Sequence, residues 1–144
     1  MADVIKGLAG SFGACLFFGW LFRISKKCMV PASLVGMAGY GVYMLALHLL
    51  GAPVGANFFA ALTVAALSEI LAHVQKAPAS IYAIIGLMPL VPGAGLYRTM
   101  LALVQGDYQR GVAIGIETLL VAGVIALSIA VVAVFAATGR SRRG

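Results

Sequence analysis

The sequence predicts an all-α integral membrane protein of about five transmembrane helices, the fourth broken at a proline- and glycine-rich joint. Composition is the first reason. Of 144 residues, 62% are hydrophobic and 10% are charged, against roughly 45–50% and 25% in a soluble domain. The second is a mean hydropathy of +1.06, with the apolar residues gathered in long runs between short polar breaks. Lipid tolerates an apolar exterior and water does not. The third is the run Pro89–Gly95, which interrupts one of these stretches with two prolines and two glycines. Residues 1–139 therefore read as a single transmembrane domain, and 140–144 as a short basic cytoplasmic tail.

The first span runs from about Val4 to Phe22, with Lys6 near its end and able to snorkel. It has the size of a signal-peptide core, but Asp3 weakens a basic leader and Arg23-Ile24-Ser25-Lys26-Lys27 follows in place of a small-residue cleavage site, so it is expected to be retained. The second span is expected over Pro31–Leu50, with Pro31 at a first helical position. Gly51–Gly55 breaks the chain. Asn57 is then the expected N-cap of a third span reaching Val74, which ends before Gln75-Lys76-Ala77-Pro78.

The fourth segment covers about Ala79–Val104. As one continuous helix it would approach 40 Å, longer than the roughly 30 Å hydrocarbon core. Pro89, Pro92, Gly93 and Gly95 make an unbroken helix unfavourable, so two half-helices with an unwound joint are expected. The fifth span follows the polar turn Gly106–Gln109 and covers about Val112–Ala137.

Small residues recur at helix-contact spacing, Ala32 with Gly36 and Gly111 with Gly115. In lipid such spacing lets backbones approach closely. With the N-terminus outside, Arg23, Lys26, Lys27, Lys76, Arg140, Arg142 and Arg143 fall on the inner side, and Lys6, Arg98 and Arg110 on the outer. That bias predicts a cytoplasmic C-terminus.

The net charge of +6 sits at the ends of apolar runs, with no basic stripe interleaved with aromatics, which argues against nucleic acid. Cys15 and Cys28 form no metal or disulfide pattern and read as free thiols. No metal-ligand cluster, phosphate loop or nucleophile elbow is present, so neither an enzyme nor a cofactor or metal site is expected. His48 reads as interfacial, and Trp20, Tyr40, Tyr43, Tyr82 and Tyr97 as boundary or packing aromatics.

Three features carry functional promise. Glu69 lies deep in the third span among Ala65, Ala66 and Ala72; an acid there is costly unless protonated, paired or wetted, and suits proton carriage. The plainer reading is an interfacial Glu69 paired with His73 or Lys76. Glu117 is the second acid within a span, seven residues after Arg110 and so on about the same face, with Arg98 the obvious partner. The Pro89–Gly95 joint frees backbone groups that cannot face lipid and must be buried or line a wet cavity. Transporters use such joints for binding, whereas a structural kink satisfied by neighbouring helices is the alternative.

The runs Asn57-Phe58-Phe59-Ala60-Ala61-Leu62, Ser68-Glu69-Ile70-Leu71-Ala72, Lys76-Ala77-Pro78-Ala79 and Pro89-Leu90-Val91-Pro92-Gly93-Ala94-Gly95-Leu96-Tyr97-Arg98 resemble the threonine/serine exporter family. Val30-Pro31 with Leu34–Tyr40 is similar to the family's second span. More specifically, the chain resembles the short subunit of its split, two-gene form, over about residues 28–130. It implies proton-driven export of small polar metabolites across the bacterial inner membrane, threonine and serine in fused members and succinate in a split pair. It also implies a larger membrane subunit as partner, since five crossings are half of the usual ten. The matching positions are Asn57, Glu69, Pro78, Pro89, Pro92, Gly93, Gly95, Tyr97 and Arg98. Together with Glu117, and leaving Pro78 aside, these are the expected substrate-path and proton-coupling residues. Glu69 is the expected proton-linked acid, and Arg98 the contact for a substrate carboxylate. A homo-oligomer is compatible with the same features. The rival reading is a scaffold subunit that stabilises a partner membrane protein without transporting.

Overall fold

A computed structural model of the protein describes the backbone of residues 2–141 and the side chains of residues 4–138. The helices are α1 (Ala2–Leu21), α2 (Lys26–Leu50), α3 (Pro53–Gln75), α4 (Ala79–Leu87), α5 (Gly93–Val104) and α6 (Tyr108–Ser141), with a 3₁₀ turn at Met88–Leu90. Four of them are long and apolar enough to cross a membrane, and α4 with α5, bent by 47°, make a fifth when taken as one span. An angle of that size redirects the chain without reversing it, so the pair is a broken span, as the sequence predicted.

Apart from α4 and α5, which share the bent span, successive helices pack antiparallel, and close contacts fix their register. Gly7 and Gly36 place α1 against α2, at Tyr40 and at Cys15. Gly39 meets Val64 and Ala60 of α3. The Tyr82 hydroxyl at the start of α4 lies 2.9 Å from Gln75 Oε1 at the end of α3 and 3.3 Å from Cys28 Sγ near the start of α2. Gly95 with Thr118, Gly115 with Thr99 and Gly111 with Leu103 pair α5 with α6 as a hairpin.

Size, more than polarity, sorts the inside from the outside. Ala32, Ser33, Ala56, Ala60, Ala61 and Ser68 are buried, while Phe17, Trp20, Leu45, Leu49, Leu119 and Phe135 are exposed. Water would drive the large apolar groups inward. A bilayer offers no such drive and rewards close backbone approach. The small-residue pairs read from the sequence take part, with Ala32 and Gly36 in the α1–α2–α4 contact and Gly111 and Gly115 in the hairpin. Buried hydroxyls bond the preceding turn: Ser33 donates to Met29 O at 2.9 Å, and Ser68 to Val64 O at 2.7 Å. Ser128 Oγ lies 2.8 Å from Val124 O and 3.1 Å from Phe58 O, tying α6 to α3. Among the described residues, no buried side-chain nitrogen or oxygen lacks a partner.

Several helix starts differ from expectation. Helix α2 begins at Lys26, so Pro31 lies inside it and not at its first position. One turn from a helix start, the missing N–H removes a single bond, which the remaining helix tolerates. Helix α3 begins at Pro53, which takes the first-turn role instead, with Ala52 as N-cap. Asn57 is therefore not a cap: it lies inside α3, where its Nδ2 donates to Pro53 O at 2.9 Å. Helix α6 starts at Tyr108, ahead of the expected Val112, because Asp107 Oδ1 accepts from the Arg110 N–H at 3.2 Å and caps the new helix. Arg142, Arg143 and the Arg140 side chain, counted above towards orientation, lie outside the described residues.

Candidate functional site

Proline makes the break and neighbouring helices repair it. Pro89 has no N–H to give the Ile85 carbonyl four residues before it. That carbonyl instead accepts the Met88 N–H and, at 3.2 Å, the Cys15 thiol reaching across from α1. Both cysteines are free and buried, and Cys15 has a use the sequence did not disclose. Beyond the 3₁₀ turn, Val91 is extended, the Gly93 N–H returns to Val91 O at 2.8 Å, and α5 opens with Leu96 N–H on Pro92 O at 3.2 Å.

Around this joint lies a cavity of about 470 Å³. Pro89, Leu90, Val91 and Pro92 form one wall, and Gly95 and Arg98 continue it along α5. Pro53 and Asn57 contribute from the start of α3, and Tyr43 from α2. The facing wall is a stripe of α6, Arg110, Ile114, Glu117, Thr118 and Val121, whose spacings of three and four residues put them on one face. Thr118 donates to Ile114 O at 2.7 Å and packs on Gly95, where a Cβ would collide with it. Glycine here lets α5 and α6 close the cavity's side.

Two guanidinium groups and one carboxylate therefore share a chamber beside freed backbone in an otherwise apolar protein. Arg98 and Glu117 line it together, but among the described residues no ion pair joins Arg98, Arg110 and Glu117. Their charges are available to a small solute carrying both signs. Asn57, buried to 6% exposure, spends one amide N–H on Pro53 and keeps its other polar positions for further partners.

Of the residues expected at the site, the cavity gathers Asn57, Pro89, Pro92, Gly95, Arg98 and Glu117. Gly93 opens α5 with nothing within 4 Å of where its Cβ would stand, and Tyr97 is 68% exposed; neither lines the cavity. Glu69 is half-buried on α3, outside the cavity and about 18 Å along the helix from Asn57. His73 Nδ1 lies 2.8 Å from the backbone carbonyl of Glu69.

Tyr43, Arg110 and Thr118 were not singled out as site residues. For Arg110 the signal was present in its seven-residue spacing to Glu117. Tyr43 reads as any boundary aromatic, and only the packing of α2 and α6 on the same helix, α3, brings it to the cavity. Among the described residues, no His, Cys, Asp or Glu cluster could hold a metal ion.

No curated protein and no solved structure matches the chain. A family model described as Threonine/Serine exporter, ThrE, matches residues 7–135. The match takes in every wall of the cavity and all five crossings, and the protein is a member of the threonine/serine exporter (ThrE) family.

Proposed function

We propose that the chain is the small subunit of a proton-linked secondary exporter for threonine, serine or a similar small polar metabolite, and that the cavity at the helix break is its substrate site. The observation that carries this reading is the joint lining by Arg98, Arg110 and Glu117 beside Pro89–Pro92. At about 470 Å³ the chamber falls within the roughly 300–1,000 Å³ usual for small-molecule sites. The arginines take the substrate carboxylate as charge-assisted hydrogen bonds. Glu117 takes the ammonium, and Asn57 or Tyr43 the side-chain hydroxyl. Glu69, outside the cavity on α3, acts in proton transfer towards the opposite face.

A larger membrane subunit completes the site. Glu117 is exposed and stands among Ile116, Leu119 and Leu120, which are 54–69% exposed. A carboxylate facing hydrocarbon there would cost roughly 2.5–3.5 kcal/mol, so a second polypeptide covering the cavity mouth is the favoured arrangement. The basic ends at Arg23, Lys26, Lys27 and Lys76 favour a cytoplasmic C-terminus, with the cavity towards the outer half of the membrane.

Two guanidinium groups against one carboxylate also suit a small dicarboxylate. Counterflow in proteoliposomes holding the co-purified subunits distinguishes the two, with threonine and succinate each offered as sole counter-substrate. Arg98→Gln is expected to weaken counterflow of whichever is carried, through a KM raised about tenfold or more. Unimpaired counterflow in assembled Arg98→Gln and Glu117→Gln complexes would instead leave this chain a scaffold.

A further inference from the structure

A second groove lies where α1 turns into α2, away from the substrate cavity. It encloses about 550 Å³ and is lined by Trp20, Leu21, Arg23, Ile24, Lys26 and Met29. Two cationic side chains thus stand over apolar walls at the end of two membrane helices, beside a tryptophan that is 69% exposed. Tryptophan at such a boundary settles at headgroup depth.

The electrostatics of the groove are one-sided. Lys26 and Lys27 occupy the first turn of α2 with no acidic residue there, and the N-cap Ser25 makes no side-chain capping bond. A helix N-terminus carries partial positive charge and favours anions. Cations in that turn oppose it. The first bonded amides of α2 are those of Cys28 and Met29, both on Ser25 O, so the Lys26 and Lys27 N–H groups are the unpaired donors that every helix start presents. No acid occurs in the sequence between Asp3 and Glu69. Arg23 adds a further oddity. Its backbone is left-handed at φ 52°, and the Ile24 N–H returns to Gly19 O at 3.1 Å, a helix ending that usually takes glycine. An arginine is held there despite the strain, with its charge at the groove.

We propose that this groove binds an anionic phospholipid, its phosphate held by Arg23, Lys26 and the free amides at the start of α2, its acyl chains lying along Leu21, Ile24 and Met29. Basic pockets between membrane helices at a headgroup boundary take such lipids. The bound anion would balance the uncapped, all-cationic turn and steady the α1–α2 connection. The proposal stands apart from the exporter reading and needs no substrate.

Native mass spectrometry of the full chain in detergent tests it, with phosphatidylglycerol, phosphatidylcholine and inorganic phosphate as separate probes. Phosphatidylglycerol is expected to stay bound at concentrations where phosphatidylcholine does not. Arg23→Gln with Lys26→Gln should weaken that binding by at least about tenfold, and Arg23→Lys with Lys26→Arg should largely keep it. Lys76→Gln removes one charge from a residue with the same left-handed backbone, φ 51°, outside the groove, and should leave binding within about twofold. Lys26→Gln alone, expected to lose severalfold, keeps the test open should the double variant not fold. Equal retention of the two lipids, displacement of phosphatidylglycerol by equimolar inorganic phosphate, or an equal loss in Lys76→Gln would each overturn the proposal.

Discussion

Gly95 lies so close to Thr118 that a Cβ on the glycine would strike the threonine hydroxyl and methyl. This contact joins the half-helix after the break to the charged face of α6, and both residues line the cavity. Gly95→Ala should therefore pry α5 from α6, at a cost of about 1–3 kcal/mol typical of overpacking. Thermal unfolding in detergent measures it. The double variant Gly95→Ala with Thr118→Ala should recover part of the loss, because the two sites are in contact and their effects are not additive.

In the proposed site Arg98 meets the substrate carboxylate. A charge-assisted hydrogen bond is worth about 1.5–3 kcal/mol, so Arg98→Gln should raise the transport KM by tenfold or more. Arg98→Lys should fall between, keeping charge and losing the planar fork. An unchanged KM in the assembled Arg98→Gln complex would remove this contact from the site.

Glu117 and Glu69 should fail in different ways. Glu117→Gln removes a cavity wall charge, so both gradient-driven export and counterflow should drop. Glu69→Gln should abolish gradient-driven export while leaving counterflow and assembly with the partner intact. Normal proton-driven transport by Glu69→Gln would take that acid out of the mechanism.

Cys15 supports the break from outside it, its thiol joining the Met88 N–H on the Ile85 carbonyl in place of the donor that Pro89 lacks. Cys15→Ala should cost about 1 kcal/mol or somewhat more, since a buried acceptor loses a partner. Cys15→Ser, which keeps a donor in similar volume, should cost less. Equal melting temperatures for the two variants would count against this role.

The spans and the break were legible in the sequence because both follow from local chemistry. Apolar runs must find lipid, and Pro89 and Pro92, three residues apart, each withhold a helical N–H, so the helix stops before Val91 and restarts at Gly93. Helix starts were less legible. Asn57 has the side chain of an N-cap, yet Pro53 four residues earlier is pre-shaped for a first turn and Asn57 bonds back to it. Pro31 resembles a first-turn proline, but α2 begins at Lys26. Membership of the cavity was partly legible: Glu117 and Arg110 share a helical face by spacing alone. Tyr43, by contrast, joins them only because Gly39 lets α2 approach α3, against which α6 also packs. No local rule reports such a meeting.

The central claim is that the broken span shelters a wet, substrate-sized chamber facing one stripe of α6. Ile114 lines that chamber, whereas Leu119 is 69% exposed on α6 and is no part of its lining. Both native cysteines are buried, so single cysteines introduced at these two positions can be read with a membrane-impermeant thiol reagent on the intact complex. Ile114→Cys should label and threonine should protect it, while Leu119→Cys should label poorly and respond to no substrate. An unreactive Ile114→Cys, or equal labelling of the two with no protection, would contradict the account.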